Sequence, residues 1–246
     1  MKSNFLHIGY HKTGTTWMQK FLFPTVFGDD YLGKYLEEQR CYEDLLPQLK
    51  NQEDKFISNE WFMKQYDTIT QLSSTLYTTL KNFAGGEKPN TKIIVSIRRQ
   101  ADIFASRHTH QEHEYDFKLW DTDLKLGVFA LKSITPMLFN YYNFFNTYKQ
   151  FTEHFGNNIH VIIYENLFNN TSHEIDRFLN FIEKNIETDQ KKTIEKNNAK
   201  VINKAARSLN KEERNMLPII QKVYEESNKK LSSLIDFDLS QYGYHK

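Results

Sequence analysis

The segment of this chain best suited to chemistry is Gly9-Tyr10-His11-Lys12-Thr13-Gly14-Thr15-Thr16-Trp17. Gly9 and Gly14 free the backbone to curl around an anion, so that N–H groups of the loop and of a following helical turn point inward. Lys12 adds a full positive charge, and Thr15 and Thr16 add hydroxyl donors where a helix would begin. Such a loop suits a phosphate or a sulfate. Its glycines have the spacing of the nucleotide pattern G-x-x-x-x-G-K-[ST], but Thr15 stands where that pattern has its lysine. The lysine lies two residues before the second glycine, and no apolar strand ends in an aspartate placed for magnesium. Both departures weigh against an ordinary ATP or GTP enzyme. A Gly/Thr-rich turn with no ligand is the blander alternative, and Lys-Thr-Gly-Thr-Thr-Trp after a strand makes it the weaker one.

A second anion site is expected at Ile93-Ile94-Val95-Ser96-Ile97-Arg98, with Ser106 eight positions after Arg98. An arginine at a strand end can fork onto a phosphate, and two helical turns further on is a suitable place for a hydroxyl facing the same group. Arg99 and Arg107 are alternatives for that contact, and both read more simply as surface charge. Groups able to take a proton are Glu60 and the cluster His108, His110, Glu112, His113 and Glu114. His-x-His-x-x-His has no second ligand group at a recognisable spacing, so it reads as an exposed helix end or a lid on the acceptor side rather than a metal site.

The elements that must hold these residues are legible as alternating strands and helices. Four short apolar runs, Phe5 to Ile8, Phe56 to Ser58, Ile93 to Ile97 and Val161 to Tyr164, read as buried parallel strands. Helices are expected over Thr15 to Phe23, ending at Pro24 and Gly28, and over Trp61 to Phe83, ending at Gly85-Gly86. A long aromatic helical stretch is expected from Leu126 to Phe155 with a junction at Pro136, and an amphipathic helix around Ile175, Phe178, Leu179 and Ile182. The class is therefore α/β, a mainly parallel sheet flanked by helices, in a single domain over 1–246. Right-handed crossovers put the loops after the strands on one edge, where ligands bind.

Composition bounds the partners. Lys plus Arg is 32 against 31 Asp plus Glu, a net charge of +1, which argues against a non-specific nucleic-acid binder. Hydrophobic residues make up 39% and aromatic residues 15%, enough for a sizeable core and too much for a disordered chain. One cysteine, Cys41, excludes an intramolecular disulfide and a cysteine-based zinc site. No apolar leader precedes Phe5 and no stretch has the length of a membrane span, so a soluble cytoplasmic protein is expected.

Lys12 through Trp17 resembles the phosphosulfate loop of sulfotransferases that use 3′-phosphoadenosine 5′-phosphosulfate (PAPS), with His11 in place of the family's proline. The Arg98 and Ser106 spacing resembles the same family's site for the nucleotide 3′-phosphate. Tyr164-Glu165-Asn166-Leu167 is similar to its structural Tyr-Glu-x-Leu signature, and Asp238 to Tyr244 to the end of its bacterial members. Lys196-Asn197-Asn198 falls where the family has a late nucleotide-contacting loop, while the Arg-Lys-Gly signature of its eukaryotic cytosolic enzymes is absent. The resemblance implies a P-loop nucleotide-kinase-like fold closest to bacterial and carbohydrate-type members. Lys12, Thr13, Gly14, Thr15 and Thr16 would hold the 5′-phosphosulfate, Trp17 would pack on the adenine, and Arg98 with Ser106 would hold the 3′-phosphate. It implies adenosine 3′,5′-bisphosphate as product and no metal requirement.

Transfer to an alcohol needs a group that takes the acceptor's proton. Bacterial and carbohydrate-type sulfotransferases have a catalytic Glu just after the second strand, where Glu60 stands, so Glu60 is preferred. An N-terminal helix carboxylate for the helix at Trp61 is its alternative role. His110, one helical turn beyond Ser106, is the second choice. A Glu base leans toward a carbohydrate or other aliphatic hydroxyl as acceptor, with an amine also open. Two rivals remain at this level: a P-loop kinase of a small molecule, and a sulfotransferase-like protein that holds nucleotide without turnover.

Overall fold

The computed structural model describes residues 3–33, 54–58, 69–83, 90–109, 142–198 and 211–246. The four apolar runs form strands β1 (Asn4–Gly9), β2 (Phe56–Ser58), β3 (Thr91–Ile97) and β4 (Ile159–Ile163). All pairings are parallel, in the order β2-β1-β3-β4. Every residue of β2 and β4 is buried, as expected of a parallel sheet covered on both faces. The chain runs from β1 to β2 on one side and returns past β1 to β3 on the other. The strand order therefore reverses between β1 and β3, and ligands of open α/β sheets bind beyond the carboxyl ends of such a strand pair.

The helix after β1 departs from the sequence expectation. It does not stop at Pro24: α1 (Thr15–Trp17) passes through a π turn, Met18–Leu22, into α2 (Phe23–Phe27). The N–H of Phe23 bonds to the carbonyl of Met18, five residues back, and Pro24 then opens the next α-turn, where no donor is needed. Gly28, at φ 54°, ends the helix. The further α-helices among the described residues are α3 (Ile69–Phe83), α4 (Gln100–Thr109), α5 (Phe144–Phe155), α6 (Tyr164–Asn169), α7 (Thr171–Ile182), α8 (Thr188–Asn198) and α9 (Lys211–Leu234). Tyr164, assigned to a strand end from its sequence, opens α6 instead, because its neighbours Glu165 to Asn169 carry no second apolar run to extend β4. Residues 61–68 and 126–141, expected to be helical, and the Gly85-Gly86 stop lie outside the described residues, as does Cys41.

Two compact units result. The first comprises Met1–Ile97 with Thr147–Ile202 and holds the sheet. Phe56 sits at the centre of its aromatic core, 4.4 Å from the rings of both Phe23 and Phe27, with Phe5 and Tyr31 beyond them. Truncating so central a ring, Phe56→Ala, costs about 3–5 kcal/mol in comparable cores. The second unit comprises Arg98–Asn146 with Asn203–Lys246, in which α4 packs on α9. Gln100 and Asn228, both fully buried, exchange two amide hydrogen bonds of 2.9 Å. They also donate to the carbonyls of Tyr142 and Tyr244, so both side-chain amides are satisfied.

Candidate functional site

The loop after β1 is built as an anion cradle. Lys12 and Gly14 both take left-handed backbone, φ 65° and 83°, which turns successive N–H groups toward one concave side. Gly14 leads directly into α1 and no side chain caps that helix start, so the first-turn N–H groups are left to a ligand or to water. A Cβ at Gly9 would lie 2.5 Å from Thr15 Oγ1, so any side chain there would force that hydroxyl to move. Gly14 is constrained twice: a Cβ would meet the Phe168 and Tyr164 rings at 3.1 and 3.2 Å on top of the left-handed φ. The cradle thus fits a tetrahedral anion by both backbone shape and helix polarity.

Its side chains divide into two sets. Lys12 and Thr16 are half-buried, whereas Thr13 and Thr15 are buried. The Thr13 hydroxyl donates to the Tyr10 carbonyl at 2.6 Å and lies 2.7 Å from Ser96 Oγ in β3. Its side chain is therefore committed to the sheet, which leaves its backbone N–H as the group it offers an anion. Ser96 pairs with Gly9 across the β1/β3 register, two residues before Arg98.

Trp17 is 2% exposed, edge-on to Phe168 at 5.5 Å, and its indole N–H donates to the Asn197 carbonyl at 3.1 Å. Asn198 in turn donates to the carbonyl of Phe168 at 3.1 Å. Asn197, near the end of α8, therefore touches the helix that follows the loop. Tyr164 packs at a tilt on Phe168, ring centroids 4.5 Å apart, so the Tyr-Glu-x-Leu segment buttresses Gly14. Behind it, the buried Glu174 accepts from the Ile163 N–H, the Asn166 amide and Arg177. Burial pushes the Glu174 carboxyl above its usual range, and Arg177 opposes that rise. His160, buried in β4 against Phe181, is held down to about 3 by burial and, secondarily, by the Arg177 charge.

In the second unit, Arg98 follows β3 directly and Ser106 lies on α4, both half-buried. Arg99 forms a two-point ion pair with Asp102 at 2.9 and 3.0 Å. Glu60 and His110, with Glu112, His113 and Glu114, lie outside the described residues. Among the described residues, no group of three or more His, Cys, Asp or Glu side chains is placed to hold a metal ion. No helix of the described residues is long and apolar enough to cross a membrane.

The residues that sequence reasoning missed are His7, Ser58 and Ser96. His7 is directly opposite Ser58 in the β1/β2 register and hydrogen-bonded to both serines. The available signal was a lone histidine within an apolar strand next to two strands carrying a serine near their ends.

Comparison with curated protein sequences gives no significant match. Among solved structures, the chain is similar to a sulfotransferase from Alicyclobacillus acidocaldarius, with a TM-score of 0.55 and 13% identity over 98% of this chain and 99% of that one. It is also similar to a mouse sulfotransferase complexed with PAP, with a TM-score of 0.51 and 15% identity over 81% of this chain and 65% of the mouse chain. At these identities the likeness is one of fold. The family model described as a sulfotransferase domain matches residues 2–235, a span that includes both candidate anion-site segments. On that match, the chain belongs to the sulfotransferase family.

Proposed function

We propose that the protein transfers the sulfuryl group of PAPS to an acceptor hydroxyl, with a carbohydrate or other small aliphatic alcohol as the favoured class. The observation that carries this reading is the cradle at Lys12 to Thr16: two left-handed residues, an uncapped helix start and one lysine. Lys12 and the N–H groups of Thr13 to Thr16 hold the 5′-phosphosulfate. Arg98 and Ser106 take the 3′-phosphate, by resemblance to the family. The purine side falls to Trp17 on the same resemblance; at 2% exposure its ring meets a purine only where the nucleotide displaces what covers it.

In the reaction, the acceptor oxygen forms a bond to sulfur as the bond from sulfur to the 5′-phosphate oxygen breaks. The acceptor's proton passes to the base, and adenosine 3′,5′-bisphosphate leaves. Lys12 offsets the negative charge that grows on the leaving phosphate oxygen, which is the form of catalysis such a fixed cation supplies best. Glu60, two residues past the end of β2, is the proposed base. His110 is the alternative, and would fit a phenolic acceptor better. The proposed setting is the cytoplasm.

The test is incubation with sulfur-labelled PAPS and a panel of sugars, aliphatic alcohols, phenols and amines in EDTA. Label in a hydroxyl acceptor, with one equivalent of adenosine 3′,5′-bisphosphate released, supports the proposal. Protection by the nucleotide with no label in any class would turn the reading to a binding protein. Magnesium-dependent transfer from ATP would turn it to a kinase.

A further inference from the structure

Beneath the phosphate loop runs a buried chain of polar side chains across three strands. Gln19 Nε2 donates to Ser58 Oγ at 3.0 Å and to the Ser58 carbonyl at 3.3 Å. Ser58 Oγ is 2.7 Å from His7 Nδ1, and His7 Nε2 is 3.1 Å from Ser96 Oγ. Ser96 Oγ is 2.7 Å from Thr13 Oγ1, which donates to the Tyr10 carbonyl at 2.6 Å. His7, Thr13 and Ser96 are fully buried, and Ser58 is 2% exposed.

The direction of this chain is fixed at the loop end, because a carbonyl can only accept. At the loop end, the Thr13 proton goes to Tyr10, so Ser96 donates to Thr13 and must accept from His7 Nε2–H. At the other end, the Gln19 nitrogen is identified by the Ser58 carbonyl it also donates to. Ser58 Oγ accepts from it with one lone pair. The loop end puts a proton on His7 Nε2, and in a neutral imidazole that leaves Nδ1 to accept from the Ser58 hydroxyl. A second proton on Nδ1 would make Ser58 accept from both neighbours and turn its hydrogen out of the chain. An apolar side chain at position 7 would fill the same space but would strand two buried hydroxyls.

We propose that His7 is a positioning residue for sulfuryl transfer: through Ser96 it locks Thr13 and the phosphate loop to the sheet, and through Ser58 it ties that loop to the end of β2. The proposal rests on the reading of the loop as the donor's anion site. If His7 acts this way, it sets the loop's readiness to bind, and its effect on nucleotide affinity runs through the Nε2 side alone.

Two amides separate the sides. His7→Gln places its amide near the former Nε2–H, whereas His7→Asn reaches only the Nδ1 position. Ser96→Ala removes the middle hydroxyl with the smallest change of shape. Each variant and the wild type are titrated calorimetrically with adenosine 3′,5′-bisphosphate at a temperature well below the measured Tm. His7→Asn and Ser96→Ala are expected to bind about 3- to 10-fold more weakly, and His7→Gln within about twofold of wild type. Normal affinity in both His7→Asn and Ser96→Ala, with only Tm lowered, would make the chain merely structural and overturn the proposal. Equal loss in His7→Gln and His7→Asn would overturn it as well. Lys12→Gly separates the two levels. If it binds like wild type, the loop is not the donor site and both readings fall. If it loses binding while His7→Asn and Ser96→Ala keep theirs, only the role of His7 falls.

Discussion

Lys12→Gly should separate what the loop costs from what it does. Lys12 is a non-glycine residue at φ 65°, a conformation that costs an L-residue about 1–2 kcal/mol. Glycine removes that strain but adds about 0.5–1 kcal/mol of unfolded-chain entropy. Any ion pair that this half-buried lysine makes at the rim is worth about 0–1 kcal/mol. These contributions nearly cancel, so stability should change by less than about 1 kcal/mol, or roughly 2–4 °C in Tm for a chain of this size. Binding has no such compensation. The charged hydrogen bond to the phosphosulfate is worth about 1.5–3 kcal/mol, so affinity for adenosine 3′,5′-bisphosphate should fall roughly 10- to 100-fold. Turnover should fall further, because the growing charge on the leaving oxygen also goes unmatched. Differential scanning fluorimetry and calorimetric titration on the same preparation read both effects. Unchanged affinity would refute the assignment of Lys12. A drop of 10 °C or more would refute the strain argument.

Arg98→Ala should weaken adenosine 3′,5′-bisphosphate by roughly 10- to 100-fold and 5′-AMP far less, and equal losses for the two nucleotides would remove Arg98 from the 3′-phosphate. Glu60→Gln should lower kcat by roughly 10²–10⁴-fold with nucleotide affinity nearly constant, whereas a helix-capping role would cost about 1 kcal/mol of stability and little activity. A comparable collapse in His110→Ala, with Glu60→Gln nearly intact, would move the base to the histidines. His160, held down to about 3 when folded, stays neutral in the native state while the unfolded chain takes up a proton below about pH 6.5. Its contribution is therefore complete above pH 6.5 and is lost as pH falls toward 3, by about 2 kcal/mol at pH 5. Urea midpoints at pH 7 and 5 should drop less in His160→Phe than in wild type, and an equal drop would show that His160 does not carry the acid sensitivity.

The parts of this molecule legible in its sequence are those written locally. Each strand is an apolar run, and the phosphate loop declares itself through glycine spacing, one lysine and the helix that follows. The structure adds that Gly14 is pinned by Tyr164 and Phe168, which no local pattern encodes. Pro24 misled because a proline reads as a helix stop, and the π turn that accommodates it has no signature of its own. Gln100 carried no sequence signal because its partner Asn228 lies 128 positions away. The His7 chain was missed for the same reason. His7, Ser58 and Ser96 are single polar residues in apolar strands, and only the sheet register brings them together.

The claim that the Lys12 loop holds the phosphosulfate end of PAPS is tested most directly by titrating the wild-type protein in EDTA with adenosine 3′,5′-bisphosphate and, separately, with ATP. The account predicts saturable one-site binding of the bisphosphate without metal, weakened roughly 10- to 100-fold in Lys12→Gly, and far weaker binding of ATP. Tight, magnesium-dependent binding of ATP with no binding of the bisphosphate would contradict it.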